Sequence, residues 1–114
     1  MSIKDDKLYL GHILEAIEKI ERYIGSADYE QLASDEITTD AIVRQLEIIG
    51  EACTKLSEEF RLKVPEIPFR DIIDMRNMLI HNYAGVNLHI VWETCQKNLP
   101  ELKLLVEKHL NGLR

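Results

Sequence analysis

The chain has 114 residues, of which 46% are hydrophobic and 30% charged, and its formal net charge is −6 at pH 7. This length suits one domain with a single hydrophobic core over residues 1–114, and the acidic balance argues against a protein that coats nucleic acid nonspecifically. No apolar run approaches the roughly 20 residues of a membrane span, so no membrane association is expected.

Charge and cysteine usage add two expectations. Residues 1–60 contain six Lys/Arg and fourteen Asp/Glu, whereas residues 61–114 contain eight and six, so any positively charged cleft belongs to the second half. Cys53 and Cys95 fall on apolar helical stripes without metal-ligand spacing. They are therefore expected to be buried, reduced thiols of a cytoplasmic protein.

Apolar residues recur at steps of three and four in the first half of the chain, which predicts helices. The first spans residues 5–24 and ends before Gly25, and a helical turn follows over residues 28–32. A long helix is predicted from a cap at Thr38 or Thr39 to about Leu62. Gly50 flanks its apolar stripe, where the missing side chain would let another helix approach closely.

The second half of the chain continues this pattern after a loop with two prolines. A helix is predicted over residues 69–83, another after a possible cap at Asn87, and a last one from Pro100. No segment alternates with period two. The sequence therefore predicts an all-α protein, an antiparallel bundle of about five to six helices.

Polar chemistry is concentrated on the helix over residues 69–83, which contains Arg76, Asn77, His81 and Tyr83. An imidazole can exchange protons near neutral pH, and a guanidinium can bind a phosphate and the charge that develops on it. The pattern favours cleavage of a phosphodiester, with Arg76 and His81 as the catalytic pair.

Helical spacing separates these side chains. At about 100° per residue, Arg76 and Tyr83 fall on the apolar stripe, while His81 lies about 140° from Arg76 and shares a side with Asn77. Asn77 is expected to orient the His81 ring. Either the helix loosens before His81, or a second copy of the chain completes the site.

The motif Arg76-Asn77-x-x-x-His81-x-Tyr83 resembles the signature of the HEPN superfamily, and specifically of its HepT-like toxins. The segments over residues 43–52, 65–72, 91–94 and 99–102 are also similar to the family's pattern, in the same order. The resemblance covers nearly the whole chain and is weakest over residues 25–37.

The resemblance implies a HEPN-like, bundle-shaped homodimer whose two motifs face one cleft. It implies a metal-independent endoribonuclease without a cofactor, acting on RNA such as tRNA or mRNA, with Arg76 and His81 catalytic and Asn77 accessory. It also implies a toxin–antitoxin pair, in which a minimal nucleotidyltransferase antitoxin adenylylates Tyr83.

Two alternatives remain open at this point. The bundle could be a non-catalytic binding module that partners a nucleotidyltransferase, or chiefly the protein substrate of that transferase. Glu47 and Glu51, one turn apart with Arg44, are either part of a solvated row of ion pairs or a supporting ion pair for Arg76.

Overall fold

The computed structural model describes residues 3–81 and 86–112 of the chain. Within them lie seven α-helical segments and a π-helical turn over Thr94–Asn98, and no strand. The segments are α1 (Ile3–Ile24), α2 (Tyr29–Ala33), α3 (Glu36–Lys55), α4 (Glu58–Lys63), α5 (Phe69–His81), α6 (Leu88–Glu93) and α7 (Leu99–Gly112). The predicted all-α helical bundle is confirmed.

The centre of the bundle is α1, which packs against α3 on one side and α7 on the other, while α5 packs on α3. Of the apolar stripe that helical spacing predicts on α1, Leu10, Ile13, Ile17 and Ile20 are each no more than 1% exposed, whereas Ile24 at the end of the helix is only partly buried. On α3, the predicted stripe residues Ile42, Leu46, Ile49 and Cys53 are buried in the same core. Removal of these apolar surfaces from water is the main source of stability.

The prediction of one helix from Thr38 or Thr39 to Leu62 is wrong at both ends. Asp35 is the actual N-cap, since its carboxylate accepts hydrogen bonds from the backbone N–H of Thr38 (3.1 Å) and from its hydroxyl (2.7 Å). At the other end α3 stops at Lys55, and Ser57 caps the separate helix α4 by accepting the N–H of Phe60 at 3.0 Å.

A buried carboxylate explains the break between α3 and α4. Asp6 of α1, only 4% exposed, accepts the backbone N–H and the hydroxyl of Ser57, each at 2.7 Å. These bonds occupy the Ser57 backbone donor, which a continuous helix would direct to a carbonyl four residues earlier. A residue 51 positions away therefore divides what the apolar spacing presents as one helix.

Replacement of Asp6 by alanine is expected to lower the free energy of unfolding by about 2–3 kcal/mol, because two partly buried donors of Ser57 lose a charged acceptor. Urea denaturation followed by circular dichroism measures this change. Glu18→Ala, at an exposed position of the same helix, is the control and should change the value by less than about 0.5 kcal/mol. Equal midpoints for the two variants would contradict the proposed role of the Asp6 carboxylate.

The prediction of a separate last helix beginning at Pro100 also needs correction. The helix that starts with α6 continues through the π turn into α7, and Glu93 and Leu99 at the two junctions both have right-handed helical dihedral angles. The N–H of Leu99 donates to the carbonyl of Thr94, five residues earlier. This wider turn precedes Pro100, whose nitrogen has no hydrogen to donate.

Cys53 and Cys95 are free and buried, as predicted. Burial raises the pKa of each thiol to about 12, and for Cys53 the positive charge of Arg61 acts weakly in the opposite direction. Among the residues described, no helix combines the length and the hydrophobicity that crossing a bilayer requires.

Candidate active site

The motif helix α5 is a regular α-helix from Phe69 through His81. Of the two alternatives, a helix that loosens before His81 is therefore contradicted, and completion of the site by a second copy of the chain stays a prediction. Tyr83, predicted as the modified residue, lies outside the described residues.

Arg76 lies where α5 meets α3, directly opposite Gly50. A Cβ added at Gly50 would overlap the Cβ of Arg76 and stand 2.6 Å from its Cγ and 3.3 Å from the carbonyl oxygen of Ile72. Only a glycine permits this approach of the two helices. The predicted close approach at Gly50 is confirmed, and it fixes the stem of the Arg76 side chain against α3.

The guanidinium of Arg76 is half-buried and only partly paired. Its Nη1 donates a hydrogen bond of 3.0 Å to Oδ1 of Asn77, while its Nε is shielded from solvent and has no acceptor among the described residues. A buried donor without an acceptor lowers the stability of the folded state, and folded proteins usually provide an acceptor for it. The side chain is thus anchored and retains capacity to bind an anion.

Asn77 and His81 are exposed on α5. The carboxamide oxygen of Asn77 is engaged by Arg76, so within the described part of the chain Asn77 orients the guanidinium rather than the imidazole. Among the described residues, a hydrogen bond joins Arg76 to Asn77, and the predicted hydrogen bond between Asn77 and the His81 ring is not formed.

The two acidic residues of α3 are also separate from the arginine. Glu47 is half-buried and Glu51 exposed, and the described part of the chain contains no ion pair between either carboxylate and Arg76. The row of ion pairs with Arg44 is not formed there either. A supporting role of Glu47 or Glu51 stays a prediction for an assembled site.

Exposed apolar side chains flank the polar ones on α5. Met78 and Ile80 are 41% and 37% exposed. Exposed apolar groups beside a motif are typical of an interaction surface. They agree with a site that is completed by another chain.

A cleft of about 600 Å³ between α4 and the first half of α5 is a feature that the sequence did not predict. Arg61 and Arg70 line it, together with Glu58 and Asp74. One signal was available, since Arg70 lies eleven residues before His81, which is about three helical turns and hence the same face. The place of Arg61 in the cleft could not be predicted in this way, because Arg61 belongs to another helix, α4.

Comparison with known proteins places this chain in a family. The family model described as "Ribonuclease HepT-like" matches residues 13–109, which include α5 and the contact at Gly50. The chain belongs to the HepT-like ribonuclease family. The family predicted from the motif and its flanking segments is therefore confirmed.

Relatives extend over nearly the whole chain. A "Putative RNase" of Caldanaerobacter subterraneus subsp. tengcongensis is 43% identical over 108 residues, covering 95% of this chain and 96% of the relative. A "Probable ribonuclease HepT" of Thermococcus cleftensis is 41% identical over 105 residues, covering 92% and 96%.

One relative is longer than the family domain. A "Gamma-glutamylcyclotransferase and putative RNase" of Methanocaldococcus jannaschii is 44% identical over 110 residues, which are 96% of this chain but only 50% of the relative. The chain thus spans about half the length of this HepT-like relative. No solved structure matches the chain.

Proposed function

We propose that the chain is a metal-independent endoribonuclease in which Arg76 and His81 carry out the cleavage. The observation that carries the proposal is the set of contacts that the Arg76 side chain makes and the partners that it lacks. Its stem contacts Gly50, its Nε lacks an acceptor within the described residues, and no acid neutralises its charge there. Such a guanidinium is suited to bind a phosphate. Relatives that are named as ribonucleases support RNA as the substrate.

The chemistry needs only the RNA and these side chains. A base removes the proton of the 2′-hydroxyl, whose oxygen attacks the adjacent phosphorus. The bond from phosphorus to the 5′-oxygen then breaks, and an acid protonates the leaving oxygen. The products are a 2′,3′-cyclic phosphate and a 5′-hydroxyl. Arg76 would stabilise the additional negative charge on the pentacovalent phosphorus, and His81 would transfer the protons.

A homodimer would join the separated groups. Because α5 remains helical through His81, the two side chains of one protomer point to different sides of the helix. Two antiparallel copies of the motif would place His81 residues from both chains beside one phosphate, one as base and one as acid. Exposed Met78 and Ile80 support an interface on this helix.

The proposed regulation is a toxin–antitoxin pair. A nucleotidyltransferase antitoxin would adenylylate Tyr83, whose phenolic oxygen attacks the α-phosphorus of ATP and displaces pyrophosphate. The added phosphate would bring negative charge and bulk close to the motif, which would repel RNA and occupy Arg76. The support for this step is the resemblance of the motif and the position of Tyr83 two residues after His81.

Incubation with RNA in excess EDTA tests the proposal. The wild-type chain and Tyr83→Phe are expected to cleave and to leave 2′,3′-cyclic phosphate ends, because neither the metal nor the phenol takes part in the chemistry. Arg76→Ala is expected to lose the activity. Gel electrophoresis resolves the fragments, and resistance of their 3′ ends to periodate oxidation both before and after phosphatase treatment identifies the cyclic phosphate. Arg22→Ala, an exposed arginine on α1, is the control and should cleave like the wild type.

The outcomes also separate the rival functions. Cleavage that stops in EDTA, or that Arg76→Ala retains, would contradict the proposed chemistry. An absence of cleavage, together with a mass gain in a separate incubation with the transferase, ATP and Mg²⁺ that is lost in Tyr83→Phe, would identify the chain as a substrate of the transferase. An absence of both would favour the binding module.

A further inference from the structure

Four polar residues form one exposed strip along α5. Arg70, Asp74, Asn77 and His81 follow one another at steps of four, three and four residues, so they lie within about 60° around the helix. All four side chains are exposed. Arg70 lies about 16 Å from His81 along the helix axis. The strip therefore leads from the proposed catalytic histidine to the cleft between α4 and α5.

The cleft combines two guanidinium groups with an apolar lining. Arg61 of α4 and Arg70 of α5 line it from two helices, and Leu62, which is 75% exposed, lies beside Arg61. Ile73 and Phe69 contribute further apolar surface from α5. A phosphate joined to a ribose and a base presents the same combination of an anion and a flat, weakly polar body.

Both arginines are free of ion pairs among the described residues, although Glu58 and Asp74 line the same cleft. The lysines Lys19, Lys63, Lys97 and Lys103 each lie within 3.4 Å of a glutamate oxygen. Arg61 is also half-buried, and its Nε is shielded without an acceptor in the described part of the chain. A half-buried, unpaired guanidinium can bind a phosphate with a smaller loss of conformational freedom than a fully exposed one.

We propose that this cleft binds a phosphate of the RNA strand at a distance from the bond that is cleaved, through Arg61 and Arg70. The inference rests on the proposed ribonuclease function and assigns the RNA a direction of approach along α5. The four charged groups of the cleft sum to zero, so binding relies on direct guanidinium contacts, which Arg can make in pairs with phosphate oxygens. The cleft binds one phosphate, and the negative charge of Asp74 repels that phosphate.

Two substrates of different length test this assignment. The turnover parameters kcat and KM are measured on a fluorescent twelve-nucleotide oligouridine and on the dinucleotide UpU, which is too short to reach both His81 and the cleft. Arg61→Ala and Arg70→Ala are each expected to lower kcat/KM on the oligonucleotide by about tenfold, mainly through KM, as the loss of one charge-assisted contact implies. The effect on UpU should be at least fivefold smaller. Lys63→Ala removes a positive charge from α4 outside the cleft lining and serves as the control.

Binding without cleavage provides a second measurement. In a His81→Ala background, fluorescence anisotropy gives the Kd for the oligouridine as a function of salt. Each arginine variant should reduce the slope of log Kd against log salt by about 0.7, the value for one contact to a single strand. Asp74→Asn should strengthen binding because it removes the opposing charge.

The results distinguish the subsite from the ribonuclease activity. If the wild type cleaves both substrates and the arginine variants behave like Lys63→Ala, the subsite is wrong while the proposed function stands. Equal losses on both substrates, or weaker binding by Asp74→Asn, would also overturn it. If the wild type cleaves neither substrate, the proposed function fails, and unchanged anisotropy in the arginine variants would then reject the subsite as well.

Discussion

Alanine at position 81 is expected to reduce kcat for RNA cleavage by about 10²- to 10⁴-fold and to change KM little, because the loss of a positioned acid–base group acts on the chemical step. His81 is exposed at the end of the described part of α5, so its removal creates no cavity in the core. Single-turnover cleavage of a labelled oligonucleotide measures the rate directly.

His12→Ala is the matched control for this variant. His12 is an exposed histidine on α1 whose ring meets the edge of Tyr9 at 5.7 Å between centroids, and its replacement should leave cleavage unchanged. Added imidazole should restore part of the rate of His81→Ala, since an exposed position admits a free base. Wild-type rates in His81→Ala would remove this residue from the mechanism.

Alanine at position 50 is expected to destabilise the fold by about 1–3 kcal/mol, as overpacking of a core contact does. The new Cβ would overlap the Cβ of Arg76, and helix α5 would have to move away from α3. RNA cleavage should fall together with stability, because Arg76 moves with its helix. Urea denaturation and the cleavage assay on the same preparation measure both effects.

Gly11→Ala tests whether the effect belongs to the contact or to glycine itself. Nothing lies within 4 Å of a Cβ added at Gly11, in the interior of α1, so this change should stabilise the helix by about 0.5–1 kcal/mol. Opposite signs at the two positions are expected. Addition of Arg76→Ala to Gly50→Ala should not restore stability, because alanine retains the overlapping Cβ. Gly50→Ala as stable as the wild type would disprove the close contact of α3 and α5.

Much of the bundle follows from local patterns. The stripe of α1 and the glycine of α3 could be interpreted without the structure, because helical spacing assigns a side chain to a face and a bare Cα permits close packing. The direction of Arg76 towards the packed face and of His81 away from it follows from the same geometry. These features depend only on residues close in sequence.

The errors arise where distant residues interact. Leu56 and Phe60 are both buried, so the apolar period continues across a backbone that Asp6 has divided. No residue close to Ser57 in the sequence indicates that the Asp6 carboxylate accepts its hydrogen bonds. The cleft of Arg61 and Arg70 likewise depends on how α4 packs beside α5. The π turn is different, since Pro100 could have indicated an altered hydrogen-bond pattern inside a continuing helix.

The central position of α1 has a consequence for the growing chain on the ribosome. This helix is synthesised before the other helices of the bundle, yet it packs between α3 and α7, and Glu21 forms its ion pair with Lys103, 82 positions later, at 2.9 Å. Part of its apolar stripe therefore stays uncovered until α7 has emerged. A nascent chain that already contains Arg76 and His81 is still without its complete core, and a folded ribonuclease arises only after the whole bundle has left the exit tunnel.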